Sequence, residues 1–183
     1  GGINAADGFS RQTCGREIGV FAAQDGPGVE NSFGGIAQAF GEAVPLLFLP
    51  QGYAQTNHDI APNFSAKQNY AHVTKFAVSI DQVNQTCREM RRAFHAMRHG
   101  RPGPALVEMP RDVLAQEVSA DVMDYRPTRV MRSAPSLGDV KDAVTALLGA
   151  KRPLIWAGQG VLYAEATTEP VSYTHLRAHE TDL

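Results

Sequence analysis

Four apolar runs of strand length, separated by polar or amphipathic stretches, constrain the fold of this 183-residue sequence most strongly. They occupy residues 18–23, 44–50, 73–80 and 104–110. Continuous apolar runs are typical of strands that are buried on both faces of a parallel sheet. Strands that alternate with helices pair in parallel through right-handed crossovers. The sequence therefore predicts an α/β domain that has a parallel sheet with helices on both faces.

Three stretches between these runs have helical spacing: residues 3–14, 29–43 and 81–100. The third gives the clearest pattern, and Asp81 is its predicted N-cap. The side chains predicted to face inward are Ala5, Ala6 and Phe9 in the first helix, Val29, Phe33, Ile36, Ala37 and Phe40 in the second, and Val83, Cys87, Met90, Ala93, Phe94 and Met97 in the third. Residues 51–72 are predicted to form a long loop of the kind that carries function.

A turn containing Gly26, Pro27 and Gly28 follows the first apolar run and precedes a helix. Ligands of parallel α/β sheets bind at such carboxyl ends of strands, so the turn is a candidate binding site. It lacks the Lys of a P-loop, and Pro27 and Asn31 break the GxGxxG pattern, which disfavours a phosphate cradle. A purely structural turn is the alternative.

Composition excludes several classes of function. The net charge of −2 and the pI near 6.3 give no electrostatic footprint for nucleic acid or an anionic membrane. Cys14 and Cys87 lack metal-type spacing, which indicates reduced thiols in a cytoplasmic protein. His95 and His99 are four residues apart, but without a third ligand we interpret them as surface histidines.

The remaining sequence predicts three further segments. Residues 114–135 are an expected interdomain linker. Residues 136–170 are expected to begin a second α/β domain, with a helix capped by Ser136 and a strand that runs into a glycine-rich turn. Residues 171–183 have no helical or strand period and resemble the in-frame translation of a sequencing adapter. We expect this segment, with its His175 and His179, to be an artefact without function.

Two more motifs accompany the glycine turn. "AADGFSR" (residues 5–11) precedes it, and "GRPGPALVEMPRDV" (residues 100–113) follows the third helix. In this order the motifs resemble the pyrimidine-binding domain of thiamine-diphosphate-dependent enzymes, specifically the acetolactate synthase-like group. The resemblance covers residues 1–113, a partial N-terminal domain, and "LIWAGQGV" resembles the start of the family's central domain. It implies a truncated thiamine-diphosphate-binding fold followed by the first elements of a second α/β domain.

The resemblance implies a fragment of an enzyme that decarboxylates or carboligates 2-oxo acids. In the family a glutamate polarises the aminopyrimidine of the cofactor, and the motif alignment places it upstream of Gly1, so this chain has no catalytic residue to name. Pro27 and Asn31 would contact the aminopyrimidine, while Gly26 and Gly28 let the backbone approach the ring.

The other half of the family's cofactor site is implied to lie outside this chain. A C-terminal domain, contributed by a partner subunit, holds the diphosphate and Mg²⁺. We therefore expect the fragment alone to be inactive and the intact protein to be a homodimer or homotetramer. Arg111 would lie near the substrate channel. The alternative is that Arg111 is only a solvated charge of the linker.

Some family members also carry flavin. They contact it through an arginine and a glycine-rich turn that correspond here to Arg101 and to Gly158, Gln159 and Gly160. The resemblance therefore allows FAD as a second cofactor. The alternative for Arg101 is a charge that stabilises a helix C-terminus.

One departure from the family pattern concerns the substrate. The synthases have a Phe-Gln pair that reaches the cofactor, and this chain has Phe64 and Ser65. A serine cannot reproduce the paired donor and acceptor of an amide. This predicts a divergent relative with another donor or acceptor acid, in which Gln68, Asn69 or Tyr70 is a candidate substitute.

Two alternatives to an enzyme fragment stay open at the level of sequence. One is a noncatalytic α/β module that binds NAD or flavin through the turn at residues 158–160. The other is a fragment that only supplies a dimer interface.

Overall fold

The computed structural model describes residues 1–58, 60–131 and 133–168, with the side chains of Asp121 and Met123 excepted. The chain divides into two compact units, Gly1–Met131 and Arg132–Leu183. The adapter-like segment 171–183 lies outside the described residues.

A four-stranded parallel sheet forms the centre of the first unit. Its strands are β1 (Gly19–Ala23), β2 (Leu46–Gly52), β3 (Phe76–Ser79) and β4 (Ala105–Pro110), in the order β1-β2-β4-β3. All four apolar runs of the sequence therefore contain a strand, and the predicted parallel α/β architecture is confirmed.

Helices precede, connect and follow these strands. They are α1 (Gly2–Gln12), α2 (Pro27–Glu30), α3 (Phe33–Gly41), α4 (Ala66–Tyr70), α5 (Thr86–Arg98) and α6 (Arg111–Leu114), with 3-10 turns at Gln55–Asn57, Val83–Gln85 and Ala120–Met123. The predicted long loop thus contains a short helix, α4.

The sheet is buried on both faces, as its continuous apolar strands require. Alternate residues of β2 point to opposite faces: Leu46 and Phe48 belong to one core cluster and Leu47 to the other. The first cluster includes side chains of α1, α3 and α4, and the second includes Ala93 and Met97 of α5. Both faces of the sheet are therefore covered by helix.

The inward face predicted for α1 was partly wrong. Ala6 is buried as predicted, but the other buried positions are Ile3 and Ser10, while Phe9 is 46% exposed. The cause is a close approach of helix and strand: the amide of Gly19 donates to Ser10 Oγ at 2.8 Å. A Cβ at Gly19 would lie 2.0 Å from the carbonyl oxygen of Ala6. This backbone contact fixes the side of α1 that faces the sheet.

The second predicted helix is divided into α2 and α3. Val29 and Ile36 are buried as predicted, but Phe33 is 41% exposed and Ala39 takes an inward position instead. The buried positions Val29, Ser32, Ile36 and Ala39 still have helical spacing across the break at Asn31 and Ser32. Phe33 lies at the edge of this face, where its ring is 5.2 Å from that of Tyr70.

The N-cap predicted for the third helix was also wrong. A 3-10 turn over Val83–Gln85 intervenes, and α5 begins at Thr86 with Gln85 as its N-cap instead of Asp81. Ala93 and Met97 are buried, and Val83, Met90 and Phe94 pack against their cluster, as predicted. Cys87 is only partly buried and lies outside that cluster.

The second unit contains α7 (Leu137–Gly149) and α8 (Gly160–Tyr163). The cap predicted at Ser136 is confirmed, because its Oγ accepts from the amide of Asp139 at 3.1 Å. The strand predicted before Gly158 is wrong: residues 153–158 have no regular structure, and Trp156 is 92% exposed. A strand requires a neighbour for its backbone hydrogen bonds, and the described part of this unit contains none.

Candidate functional site

The turn between β1 and α2 lies at the carboxyl edge of the sheet. Gly26 has φ +67° and ψ −126°, a conformation that L side chains rarely adopt. Pro27 occupies the first position of α2, where its missing N–H removes no helical hydrogen bond. The amide of Val29 donates to the carbonyl of Gln24 at 3.0 Å and so closes the turn. The sequence thus determines a sharp, well-bonded turn at this edge.

The side chains of α2 are divided between core and surface. Val29 is buried in the core, whereas Pro27 and Asn31 are exposed. Pro27 and Asn31 are four residues apart, a spacing that places side chains on the same side of a helical turn. The structure therefore brings these two predicted contact residues together on an accessible surface, directly after Gly26.

Tyr70 supports this turn from the core side. Its side chain is fully buried, and its hydroxyl donates to the carbonyl oxygen of Val29 at 2.5 Å. Burial raises the pKa of Tyr70 above its usual value, so the hydroxyl stays protonated and remains a donor. Its ring lies 5.3 Å from the ring of Phe48 and 5.2 Å from that of Phe33. Tyr70 therefore fixes the turn from the core, which corrects its placement among cofactor-contacting residues.

Arg111 also reaches the turn. Its guanidinium forms an ion pair with the carboxylate of Asp25, the residue before Gly26. About half of the Arg111 side chain is exposed, so the group is still open to solvent or a ligand. The structure thus places the predicted substrate residue beside the predicted cofactor residues.

Residues on both sides of position 59 are hydrogen-bonded to the same edge of the sheet. The carboxylate of Asp112 accepts from the amide of Gln55, with both oxygens at 3.2 Å. The Glu108 carboxylate lies 3.1 Å from Nε2 of His58 and accepts from the amide of Ala66 at 3.2 Å. Glu108 is not among the site residues predicted from the sequence, where its signal is one acidic residue inside an apolar strand.

Ser65 has a local structural role. Its Oγ accepts from the amide of Gln68 at 3.4 Å and so caps α4. The side-chain amide of Asn69 donates to the carbonyl of Ser65 at 2.7 Å. Ser65, which departs from the Phe-Gln pair of the family pattern, is therefore used here to begin a helix.

Arg101 lies at the opposite edge of the sheet. It precedes the amino end of β4, whereas the Gly26 turn follows the carboxyl end of the parallel strand β1. Its Nη1 and Nη2 donate to the carbonyls of Phe40 and Gly41 at 3.2 and 2.7 Å. Arg101 therefore stabilises the C-terminus of α3, and the structure does not bring it together with the turn.

The glycine-rich turn of the second unit, residues 158–160, has more free space around its glycines than the Gly26 turn has. Gly158 precedes α8 and Gly160 begins it. A Cβ at either glycine would have no atom within 4 Å. The side chain of Gln159 lies 3.3 Å from the hydroxyl of Tyr163.

Within residues 1–58, 60–131 and 133–168, no group of three or more His, Cys, Asp or Glu side chains has an arrangement suited to a metal ion. In the same part of the chain, no helix combines the length and the apolar character needed to cross a membrane.

Comparisons with known proteins show what this chain is similar to. Residues 1–82 match the family "Thiamine pyrophosphate enzyme, N-terminal TPP binding domain". Glyoxylate carboligase of Escherichia coli O157:H7 is 35% identical over 169 residues, which cover 91% of this chain and 28% of that protein. Acetolactate synthase isozyme 3 large subunit of Escherichia coli K12 is 29% identical over 172 residues, which cover 88% of this chain and 29% of that protein.

A solved structure shows the same fold. Benzoylformate decarboxylase from Polynucleobacter necessarius has a TM-score of 0.79 and 19% identity, over 93% of this chain and 32% of that chain. The parallel sheet and the family match together define an N-terminal thiamine pyrophosphate-binding domain. The chain is therefore similar to the N-terminal domain of acetolactate synthase-like thiamine pyrophosphate enzymes. It spans less than a third of the length of these relatives.

Proposed function

We propose that this chain supplies the pyrimidine-binding part of a thiamine-diphosphate-dependent enzyme that decarboxylates or carboligates 2-oxo acids. The observation that carries the proposal is the exposed pair Pro27 and Asn31 beside the side-chain-free Gly26, at the carboxyl edge of a parallel sheet. The names of two sequence relatives, a carboligase and a synthase, support chemistry of this class. A noncatalytic nucleotide-binding module is not favoured.

The residues of the turn fit a flat heterocycle. Pro27 offers an apolar surface, and the side-chain amide of Asn31 can donate to a ring nitrogen or accept from an exocyclic amino group. Gly26 and Gly28 carry no side chain that would hold a ring away from the backbone. Thiamine diphosphate, when bound, supplies the electron sink for breaking or forming the carbon–carbon bonds of 2-oxo acids. The role of this chain is then to bind and orient the cofactor's pyrimidine ring.

Arg111 is the proposed substrate residue. Its guanidinium is held beside the turn by Asp25 and is still partly open to solvent. A guanidinium can bind a carboxylate through two parallel hydrogen bonds. We propose that it attracts the carboxylate of the 2-oxo acid towards the cofactor, and that the acid differs from that of the synthases because Ser65 is a helix cap.

The remaining cofactor contacts are proposed for the intact protein. Mg²⁺ and the diphosphate would be held by a separate domain of a partner subunit in a homodimer or homotetramer. Flavin would contact Arg101 and residues 158–160. A guanidinium has five N–H donors, and two of those of Arg101 bond α3, so capping and flavin contact are compatible. A flavin absorbance spectrum of the purified intact protein decides this point.

The domain boundaries are part of the same proposal. Residues 1–113 form the partial pyrimidine-binding domain, 114–135 a linker and 136–170 the beginning of a central domain, while 171–183 are adapter-derived. The two free cysteines, Cys14 and Cys87, support a cytoplasmic protein.

The direct test uses the full-length protein, expressed to the length of its relatives. With thiamine diphosphate and Mg²⁺ supplied, we expect cofactor-dependent consumption of one or more 2-oxo acids, with glyoxylate and benzoylformate among those tried. The 183-residue chain alone should show no turnover and no tight cofactor binding in calorimetry. Absence of cofactor binding by the full-length protein would contradict the proposal.

A further inference from the structure

Glu108 is a buried carboxylate that the proposed chemistry does not use. Its side chain is 1% exposed, in β4 between Val107 and Met109. A buried ionised carboxylate is costly unless it is paired and hydrogen-bonded. A second buried glutamate, Glu89, meets this requirement with two guanidinium groups, those of Arg88 and Arg92. Glu108 has a different set of partners.

The partners of Glu108 lie at two separate points of one segment. Oε2 lies 3.1 Å from Nε2 of His58, and Oε1 accepts from the amide of Ala66, eight residues further along the chain. A single carboxylate thereby joins both His58 and the first residue of α4 to the sheet. Gly52 leaves room for this side chain, because a Cβ there would lie 3.0 Å from Cγ of Glu108. The absence of a side chain at the end of β2 therefore allows the contact.

A chain of contacts leads from Glu108 to the Gly26 turn. Ala66 begins α4, and both Ala66 and Tyr70, one helical turn apart, are buried in the first core cluster. The Tyr70 hydroxyl then donates to the carbonyl of Val29 in α2. The position of α2 therefore depends on α4, and the position of α4 depends on Glu108.

We propose that Glu108 is a positioning residue, which holds residues 53–66 and α4 so that Tyr70 fixes α2 and its exposed Pro27 and Asn31. This inference rests on the proposed function, since it concerns the surface that would receive the pyrimidine ring. Glu108 does not reach that surface itself. Loss of its carboxylate should therefore weaken cofactor binding more than it changes the rate of the loaded enzyme.

The test compares Glu108→Ala and Glu108→Gln with Glu89→Gln in the full-length protein. The readouts are the thiamine diphosphate concentration for half-maximal rate, kcat at saturating cofactor, and amide hydrogen exchange of residues 26–33 and 53–70. Glu89→Gln is a matched control, because it changes a buried, paired carboxylate on α5, outside the contact chain to α2.

For Glu108→Ala we expect the half-saturating concentration to rise about tenfold, the effect of losing about 1.4 kcal/mol, with kcat within about twofold. Amide hydrogen exchange should be faster in residues 26–33 and in residues 53–70. Glu108→Gln should show a smaller change of the same kind, because the glutamine carbonyl can still accept from the amide of Ala66. This variant keeps the test valid if Glu108→Ala does not fold. Glu89→Gln should leave the half-saturating concentration and residues 26–33 unchanged.

Faster exchange confined to residues 53–70, with residues 26–33 and the half-saturating concentration unchanged, would overturn the inference. Hydrogen exchange does not require activity. If the wild-type protein shows no response to thiamine diphosphate, the proposed function fails, and exchange of residues 26–33 in Glu108→Gln still decides whether Glu108 positions α2.

Discussion

Two glycine-rich turns of this chain have similar sequences and very different surroundings. The turn at residues 26–28 follows a strand whose five residues all pair with β2, and it contains a glycine at φ +67°. The turn at residues 158–160 follows a stretch without regular structure, and both its glycines face open space. Tyrosine accompanies each turn, Tyr70 as a buried support and Tyr163 as a half-buried neighbour.

The difference shows what makes a glycine turn a preorganised surface. Glycine permits an unusual backbone conformation, but the conformation is fixed only where a sheet strand and a buried hydrogen bond hold the residues on either side. The first turn meets both conditions through β1 and Tyr70. In the second unit, taken by itself, the described residues contain no strand, and Tyr163 is only half-buried. We therefore expect substitutions to have larger effects at the first turn.

The largest difference is expected between the two tyrosines. Tyr70→Ala removes a fully buried ring and should lower the free energy of unfolding by about 3–5 kcal/mol. Tyr163→Ala should lower it by about 1 kcal/mol or less, because that side chain is only half-buried. Urea unfolding followed by circular dichroism measures both. Equal losses would show that the two turns are supported alike.

The glycines themselves give the next largest contrast. Gly26→Ala places a Cβ on a residue at positive φ and should cost about 1–3 kcal/mol. Gly158→Ala should stay within about 0.5 kcal/mol, since its Cβ would meet no atom within 4 Å. The same urea transitions provide the comparison, and a neutral Gly26→Ala would mean that the turn is not fixed.

Tyr70→Phe isolates the hydrogen bond to Val29 from the packing of the ring. We expect a loss of about 1 kcal/mol at neutral pH. The wild-type stability should also fall above about pH 10, because the unfolded tyrosine then ionises while burial keeps the folded pKa higher. This contribution is complete below that pH and is lost as the pH rises. The phenylalanine variant should show a shallower decline, and an unchanged slope would contradict the burial of a protonated hydroxyl.

The smallest effect is expected in the second unit. Ser136→Ala removes the oxygen that accepts from Asp139 and should weaken α7 by about 0.5 kcal/mol, at the low end for an exposed helix cap. Hydrogen exchange of residues 137–149 should rise, while that of residues 19–52 stays constant. A change in the first unit would indicate that the two units are not independent.

Much of the fold could be predicted because buried strands and helices leave strong local patterns. The four apolar runs and the cap at Ser136 depend on neighbouring residues, which the sequence displays directly. The inward face of α1 depends on the contact between Gly19 and Ser10, nine residues apart, and periodicity cannot show such a contact. The strand predicted before Gly158 failed for a related reason, because pairing with a neighbouring strand is not a local property.

The candidate site was predictable to a similar extent. The exposed turn at residues 26–31 follows from a general rule for parallel sheets. The roles of Tyr70 and Glu108 depend on residues 41 and 42 positions away, those that supply the Val29 carbonyl and the Ala66 amide. Only the three-dimensional structure brings these groups together.

The central claim is that the turn at residues 26–31 receives the pyrimidine ring of thiamine diphosphate. Calorimetry of the full-length protein with Asn31→Leu tests it most directly, with Asn84→Leu, an exposed asparagine on the 3-10 turn before α5, as the matched control. We predict at least about tenfold weaker cofactor binding for Asn31→Leu, the effect of losing a hydrogen bond, with unchanged unfolding, and normal binding for Asn84→Leu. Wild-type affinity in Asn31→Leu would contradict the claim.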